Sequence, residues 1–260
     1  MSGEDHESVA RALEEARQQR GPIPLPSDRY TEMGIADAYR VQAHWLALQE
    51  KAGAKRAGYK VGLTSRAMQV ALKVDEPQYG HLLDRHIYGD NARIMLDAFF
   101  TPRLEVELAF LMRRPIAGFG HSIDDVLAAT EFIQPAIEIV DYRTVSPRPI
   151  ADMIADNVAG AGASLGGRKI RPDGQVDLGW IGATLARNGV IEESGVSAAV
   201  LGHPALGVVA LLDRLAEHKG GLEEGDIVLA GSFTRQVDIA RGDEFEADYG
   251  PHGAFAFRFL

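Results

Sequence analysis

Residues 102–110 read PRLEVELAF. In an extended strand successive side chains point to opposite faces, so Glu105 and Glu107 share one face while Leu104, Val106 and Leu108 share the other. Ala109, Phe110 and Leu111 carry the apolar character on past the two glutamates. A third carboxylate has the same setting: in QPAIEIVDY (134–142) Glu138 is flanked by Ala136, Ile137, Ile139 and Val140. The run DEFEADYG (243–250) is a useful contrast. Its Glu244, Glu246 and Asp248 also alternate, but it is acidic throughout, as a solvated edge strand would be. Like charges beside a core are unfavourable unless one takes a proton or a cation sits between them. On the residues alone two readings stay open. Either the strands have one wet face, or Glu105, Glu107 and Glu138 form an all-oxygen site of the kind that suits Mg²⁺ or Mn²⁺.

The pattern around these strands sets the fold class. Val9, Leu13 and Ala16 recur at helical spacing, and GPIPLPSDR (21–29), with three prolines, cannot continue that helix. Ile35, Ala38, Tyr39 and Leu46 mark a second helix, ending near Lys51–Gly53. Beyond it the texture changes to short apolar or alternating runs bounded by Gly and Pro. These are Tyr59–Leu63, Leu104–Leu111, Ala136–Val140, Ile227–Ala230, Phe245–Tyr249 and Ala254–Leu260. Two helices interrupt them. One starts at the capping box Ser122–Asp125; the other carries Val208, Leu211, Leu212 and Leu215 and stops at Gly220–Gly221. The expectation is an α+β protein: a helical N-terminal region, residues 1–70, on a larger β-rich metal-binding domain, residues 71–260.

Composition limits the chemistry. The 260 residues are 46% hydrophobic and 25% charged, with a formal net charge of -10. That balance disfavours nucleic acid and anionic membrane surfaces as partners. With no cysteine, disulfides, thiolate nucleophiles and iron–sulfur clusters are excluded. The first twenty residues lack an apolar signal core and no run approaches the ~20 apolar residues of a membrane span, so a cytoplasmic location is expected.

Other residues stand out against plainer alternatives. Lys60, in AGYKVGLTS (57–65), has Gly62 and Thr64 on its own strand face. It reads either as a snorkelling surface lysine or as a buried group able to bind an anion or move a proton. GSFTR (231–235) follows an apolar strand. It is either a turn or a carboxylate clamp made by Ser232, Thr234 and Arg235. The eight histidines lack ligand spacing, and neither Ser65 nor Ser232 has a nucleophile-elbow context.

Taken in order, GYKVGLTSRAMQ, EPQYGHLLD, PRLEVELAF, PAIEIVD, IADNVAGAG, RNGVIEESG, LGHPA, GSFTR and DYG resemble the hydratase/decarboxylase branch of the fumarylacetoacetate hydrolase superfamily over nearly the whole chain. The resemblance implies a mixed β-roll of the fumarylacetoacetase C-terminal type. It implies a Mg²⁺ or Mn²⁺ held by Glu105, Glu107 and Glu138, and an active-site lysine at Lys60. It implies a metal-dependent hydratase of aromatic-compound breakdown, adding water to a 2-oxo-enedioate. LLD, GSFTR and DYG favour that reading over the five-carbon mono-acid hydratases and the decarboxylases of the branch. Decarboxylation of a 2-oxo-3-enedioate and a non-catalytic partner subunit are the alternatives. The expected partners are a small 2-oxo dicarboxylate and further copies of the chain in a homo-oligomer. One departure matters: relatives often carry an aspartate where this chain has Gln78, and a carboxamide cannot shuttle a proton near neutral pH. Lys60, Glu76, Asp84 or a metal-bound water must then take that part.

Overall fold

The computed structural model describes the backbone of residues 1–260 and every side chain except those at 67, 68 and 71. Helices Gly3–Gln19 and Ile35–Lys51 form at the expected spacings. They are tied together by Glu14, whose Oε2 accepts from Trp45 Nε1 (3.2 Å) and Gln49 Nε2 (2.6 Å). The expected capping box is present, with Ser122 Oγ and the Asp125 carboxylate satisfying each other's backbone N–H at the start of helix Ile123–Ala129.

An eight-stranded mixed sheet forms the body. Along its main path the order is Gln78–Leu83, Arg56–Gly62, Ile227–Leu229, Arg103–Met112, Thr130–Val140, Gly160–Leu165 and Ile87–Tyr88, with the short Val237–Asp238 strand also pairing on Arg103–Met112. Arg56–Gly62, inside the expected helical region, is thus an interior strand of the sheet; the two long helices of that region end by Lys51, and a short helix, Arg66–Leu72, follows the strand. The first strand of the path meets the strand next to its last, because the side chain of Asn157, just before Gly160–Leu165, bonds both backbone groups of His81 in Gln78–Leu83. The sheet therefore curls into a roll.

A five-stranded sheet packs beside it, in the order Val190–Val196, Gly182–Arg187, Glu244–Asp248, Ala254–Phe259, Ala92–Ile94. Glu244–Asp248 is an interior strand there, not the edge expected from its acidity. Glu244, Glu246 and Asp248 face solvent while Phe245 and Ala247 are buried. Phe245, with Phe255, Phe257 and Phe259, joins the same core as Leu104, Val106, Leu108 and Phe110. Helix Pro204–Glu217 buries Val208, Leu211, Leu212 and Leu215 in that core. The Ser197–Glu217 stretch containing it is long and apolar enough to cross a membrane, and its apolar stripe is accounted for by this packing.

Candidate metal centre

Register decides what the strands bring together. Arg103–Met112 and Thr130–Val140 are antiparallel with Glu105 opposite Glu138 and Glu107 opposite Ala136, so all three carboxylates share one face. One ligand oxygen from each lies within 4.8 Å of the others, the geometry of a shared cation. Glu107 and Glu138 are each 0% exposed, and Glu105 is half-buried. Around them Leu82, Ala109, Ala136, Ala163 and Leu229 form a small apolar cluster separate from the main core. Tyr249, of the DYG motif, braces the pair from behind. Its buried hydroxyl lies 2.9 Å from the Glu107 carbonyl and 2.6 Å from that of Ala136.

Lys60 reaches the same place from the next strands. Lys60 is opposite Leu229, and Leu229 is opposite Ala109, which keeps it on the glutamate face. It is 3% exposed, with Nζ 3.0 Å from Glu138 Oε1 and donating to the Val158 carbonyl at 3.0 Å. This is the buried-lysine reading, not the snorkelling one.

The electrostatics are those of a crowded anionic site. Burial disfavours the Lys60 ammonium, but Glu138, Glu105 and Glu107 outweigh it and hold its pKa above the usual lysine range. Burial and the neighbouring carboxylates push Glu107 well above the usual carboxylate range. Burial is also the largest influence on Glu138, which is pushed up to about 7 despite Lys60. Glu107 Oε2 accepts from the Gly231 N–H at 2.8 Å. Gly231 has φ +124° and a Cβ there would sit 2.3 Å from Thr64 Oγ1, so only glycine fits this contact. Glu107 Oε1 and Glu138 Oε2 have no hydrogen-bond partner among the described residues. Buried carboxylate oxygens without partners are a poor end-state, and a hard divalent cation fits the donor set. Among the described residues this is the one such cluster.

The remaining expected residues fall into two groups. Ser232, Thr234 and Arg235 line a cleft of about 310 Å³ together with Thr64, Ser65 and Glu105, so the GSFTR segment does border the site. Within it, though, the hydroxyls serve the turn. Ser232 Oγ donates to the Thr234 carbonyl (3.0 Å) and Thr234 Oγ1 accepts from Val106 N–H (3.2 Å). Arg235 stands at the rim with an 86% exposed side chain, paired at 2.8 Å with Glu193. Asp84 is a correction. It lies at the far end of Gln78–Leu83, beyond Leu83, which is opposite Arg56; it is exposed, and its Oδ1 accepts from the N–H groups of Lys55 and Arg85. It caps a turn away from the carboxylates. Glu76 is exposed and paired with Arg214. Gln78 is buried, with Oε1 accepting from Tyr39 Oη at 2.8 Å and Nε2 donating to the Glu76 carbonyl at 3.3 Å. Its amide links the helical region to the sheet.

Sequence reading missed Gln236, whose Nε2 donates to Glu105 Oε1 (3.0 Å) and to Tyr142 Oη (3.1 Å). Its place directly after GSFTR was the available signal.

With this geometry in hand the comparisons are direct. The chain is 46% identical over 262 residues to 2-oxo-hept-4-ene-1,7-dioate hydratase of Escherichia coli, covering 98% of each. The chain belongs to the hydratase/decarboxylase branch of the fumarylacetoacetate hydrolase superfamily. Within that branch it superimposes on the 4-oxalocrotonate decarboxylase of Pseudomonas putida G7, complexed with magnesium and adipate, with a TM-score of 0.96 and 31% identity. The match covers 100% of this chain and 99% of that one. Fumarylpyruvate hydrolase of Pseudomonas aeruginosa, in complex with Mn²⁺ and pyruvate, shares the fold alone. Its TM-score is 0.61 at 12% identity, over 79% of this chain and 89% of that one. No protein-family model matches the chain.

Proposed function

We propose that the protein is a divalent-metal-dependent hydratase that converts a 2-oxo-4-enedioate, the seven-carbon 2-oxohept-4-ene-1,7-dioate, into the 4-hydroxy-2-oxo dioate. The observation that carries this reading is the buried Glu105–Glu107–Glu138 set with unpartnered oxygens beside Lys60, in a chain 46% identical to a hydratase of that substrate. Magnesium and adipate, a six-carbon dicarboxylate, in the decarboxylase of the same fold support both the metal and a two-carboxylate ligand.

Glu105, Glu107 and Glu138 would hold Mg²⁺ or Mn²⁺. When bound, the cation supplies Lewis acidity to the ketone and adjacent carboxylate oxygens of a 2-oxo acid. The protein does the rest. Lys60 places a fixed positive charge beside the oxygen on which negative charge develops as a proton leaves C3. Returning that proton to C5 moves the double bond from C4–C5 into conjugation at C3–C4. Water then adds its hydroxyl at C4 and a proton at C3. The Leu82, Ala109, Ala136, Ala163 and Leu229 cluster keeps the floor dry, which strengthens every charge interaction above it. Arg235, at the rim, is offered to the distal carboxylate. Asp84 is remote and Gln78 cannot carry a proton, so neither of them moves it.

Incubating the Mg²⁺-loaded protein with the enedioate and analysing products tests this. A 4-hydroxy-2-oxo acid is expected; no product from this substrate but CO₂ release from a 2-oxo-3-enedioate offered in parallel would make the protein a decarboxylase, and no turnover of either would make it a silent partner. A cytoplasmic setting and a homo-oligomeric state belong to the same proposal. Trp180, 72% exposed, and Phe119, 65% exposed, are apolar surface that a second copy would cover; sedimentation of the purified protein checks the assembly.

A further inference from the structure

The seam that closes the roll is also the back wall of the Lys60 pocket. Strands Gln78–Leu83 and Gly160–Leu165 are not ladder neighbours. In place of a ladder, the fully buried Asn157 side chain spans them. Its Oδ1 accepts from His81 N–H at 2.7 Å, and its Nδ2 donates to the His81 carbonyl at 3.0 Å and to the Gly160 carbonyl at 2.9 Å. A primary amide presents one acceptor and two donors, so it satisfies a strand's N–H and C=O as a neighbouring backbone would.

The backbone beside it is strained. Asn157, Val158 and Ala159 have φ of 55°, 49° and 57° in succession. Asparagine tolerates the left-handed region, but a β-branched residue there is an outlier that persists only where its surroundings enforce it. Close packing leaves no slack: a Cβ on Gly80 would sit 2.2 Å from the Asn157 carbonyl oxygen. The product of this strain is one contact. The left-handed turn points the Val158 carbonyl at Lys60 Nζ, 3.0 Å away, the same distance as Glu138 Oε1.

We propose that Asn157 is a positioning residue that aims Lys60, by closing the seam and so forcing the Val158 carbonyl into place as the second anchor of the ammonium. Resting on the metal-site reading above, this predicts a specific failure. Freed from Val158, the ammonium falls in among Glu105, Glu107 and Glu138 and competes with the divalent cation.

The test uses Asn157→Ala and, as the variant that keeps a left-handed backbone accessible should the first fail to fold, Asn157→Gly. Each is made in wild type and in Lys60→Met, with Mn²⁺ affinity measured by calorimetry and kcat and KM for the enedioate. In wild type, loss of Asn157 should weaken Mn²⁺ binding about tenfold and lower kcat by about ten- to a hundredfold with KM nearly unchanged, the scale of a charge-assisted hydrogen bond. In Lys60→Met it should leave Mn²⁺ binding unchanged, since no ammonium remains to compete. Equal weakening in both backgrounds would mean that Asn157 merely scaffolds the carboxylates, and unchanged kcat and affinity in wild type would likewise overturn the role. A wild type that binds no Mn²⁺ would overturn the site reading and this inference together.

Discussion

Lys60 Nζ and Glu138 Oε1 lie 3.0 Å apart, both side chains buried, on strands separated in the sheet by Ile227–Leu229 and Arg103–Met112. One ammonium among three carboxylates leaves the site short of positive charge. Most of what can be tested follows from that shortage.

Metal binding should depend on each buried carboxylate. Removing metal with a chelator should abolish activity, and Mg²⁺ or Mn²⁺ should restore it. Glu107→Gln should weaken Mn²⁺ affinity by at least about tenfold, because a carboxamide supplies no charge. Glu246→Gln, on the solvated face of Glu244–Asp248, serves as the control. Full turnover in excess chelator would sink the assignment.

In the metal-free protein the carboxylate site should become a growing cost to stability as pH rises. Glu138 is pushed up to about 7 and Glu107 also lies above its ordinary value, so between the unfolded carboxylate pKa and the folded values the native state binds more protons than the unfolded chain. Stability is then highest below about pH 4.5 on this account and falls as pH climbs through 7. Burial pushes His81 and His86 down to about 3 and about 4, which acts in the opposite direction over this range. Thermal melts of chelator-treated wild type and Glu138→Gln at pH 5 and pH 8 therefore read the carboxylate part as the difference between the two proteins. Saturating Mg²⁺ should raise Tm more at pH 8, where protons no longer compete. A metal-free wild-type Tm that does not fall relative to Glu138→Gln over this range, with the same Mg²⁺ increment at both pH values, would contradict the picture.

Lys60→Met should separate catalysis from folding only when metal is bound. Breaking a buried ion pair by deleting one partner costs about 3–5 kcal/mol, so the metal-free variant should be much less stable than the metal-free wild type. With a cation in the site the deficit should shrink, while turnover stays down by about a hundredfold or more. Equal destabilisation with and without Mg²⁺ would show that Lys60 does not share the carboxylates with the cation.

Arg235→Ala tests the distal-carboxylate contact. Its side chain is 86% exposed and already paired with Glu193, so screening limits its contribution to about 1 kcal/mol, roughly fivefold in specificity. The expected result is a roughly fivefold loss of kcat/KM for the seven-carbon dioate with the five-carbon mono-acid 2-oxopent-4-enoate nearly unaffected. Parallel losses on both substrates would mean that Arg235 only braces the rim.

The alternation of Glu105 and Glu107 with Leu104, Val106 and Leu108, and the apolar frame of Glu138, were legible in the chain because side-chain direction in a strand is a local property with period two. The helices, their capping box and the apolar stripe of Pro204–Glu217 were legible for the same reason. Strand order and register are not local. That Glu105 stands opposite Glu138, that Leu229 and Ala109 carry the face across to Lys60, and that Glu244–Asp248 lies inside a sheet depend on pairings between distant segments. No window of sequence contains such pairings. The small-residue strand Gly160–Leu165 and the polar start of Gln78–Leu83 gave weak patterns, so the seam between them went unseen. The roles of single polar residues were decided last, by hydrogen-bond competition in the folded chain. Asp84 was taken by the Lys55 and Arg85 amides, Gln78 by Tyr39, and Arg235 by Glu193. Sequence thus determined which side chains face which way, and tertiary structure determined which of them meet.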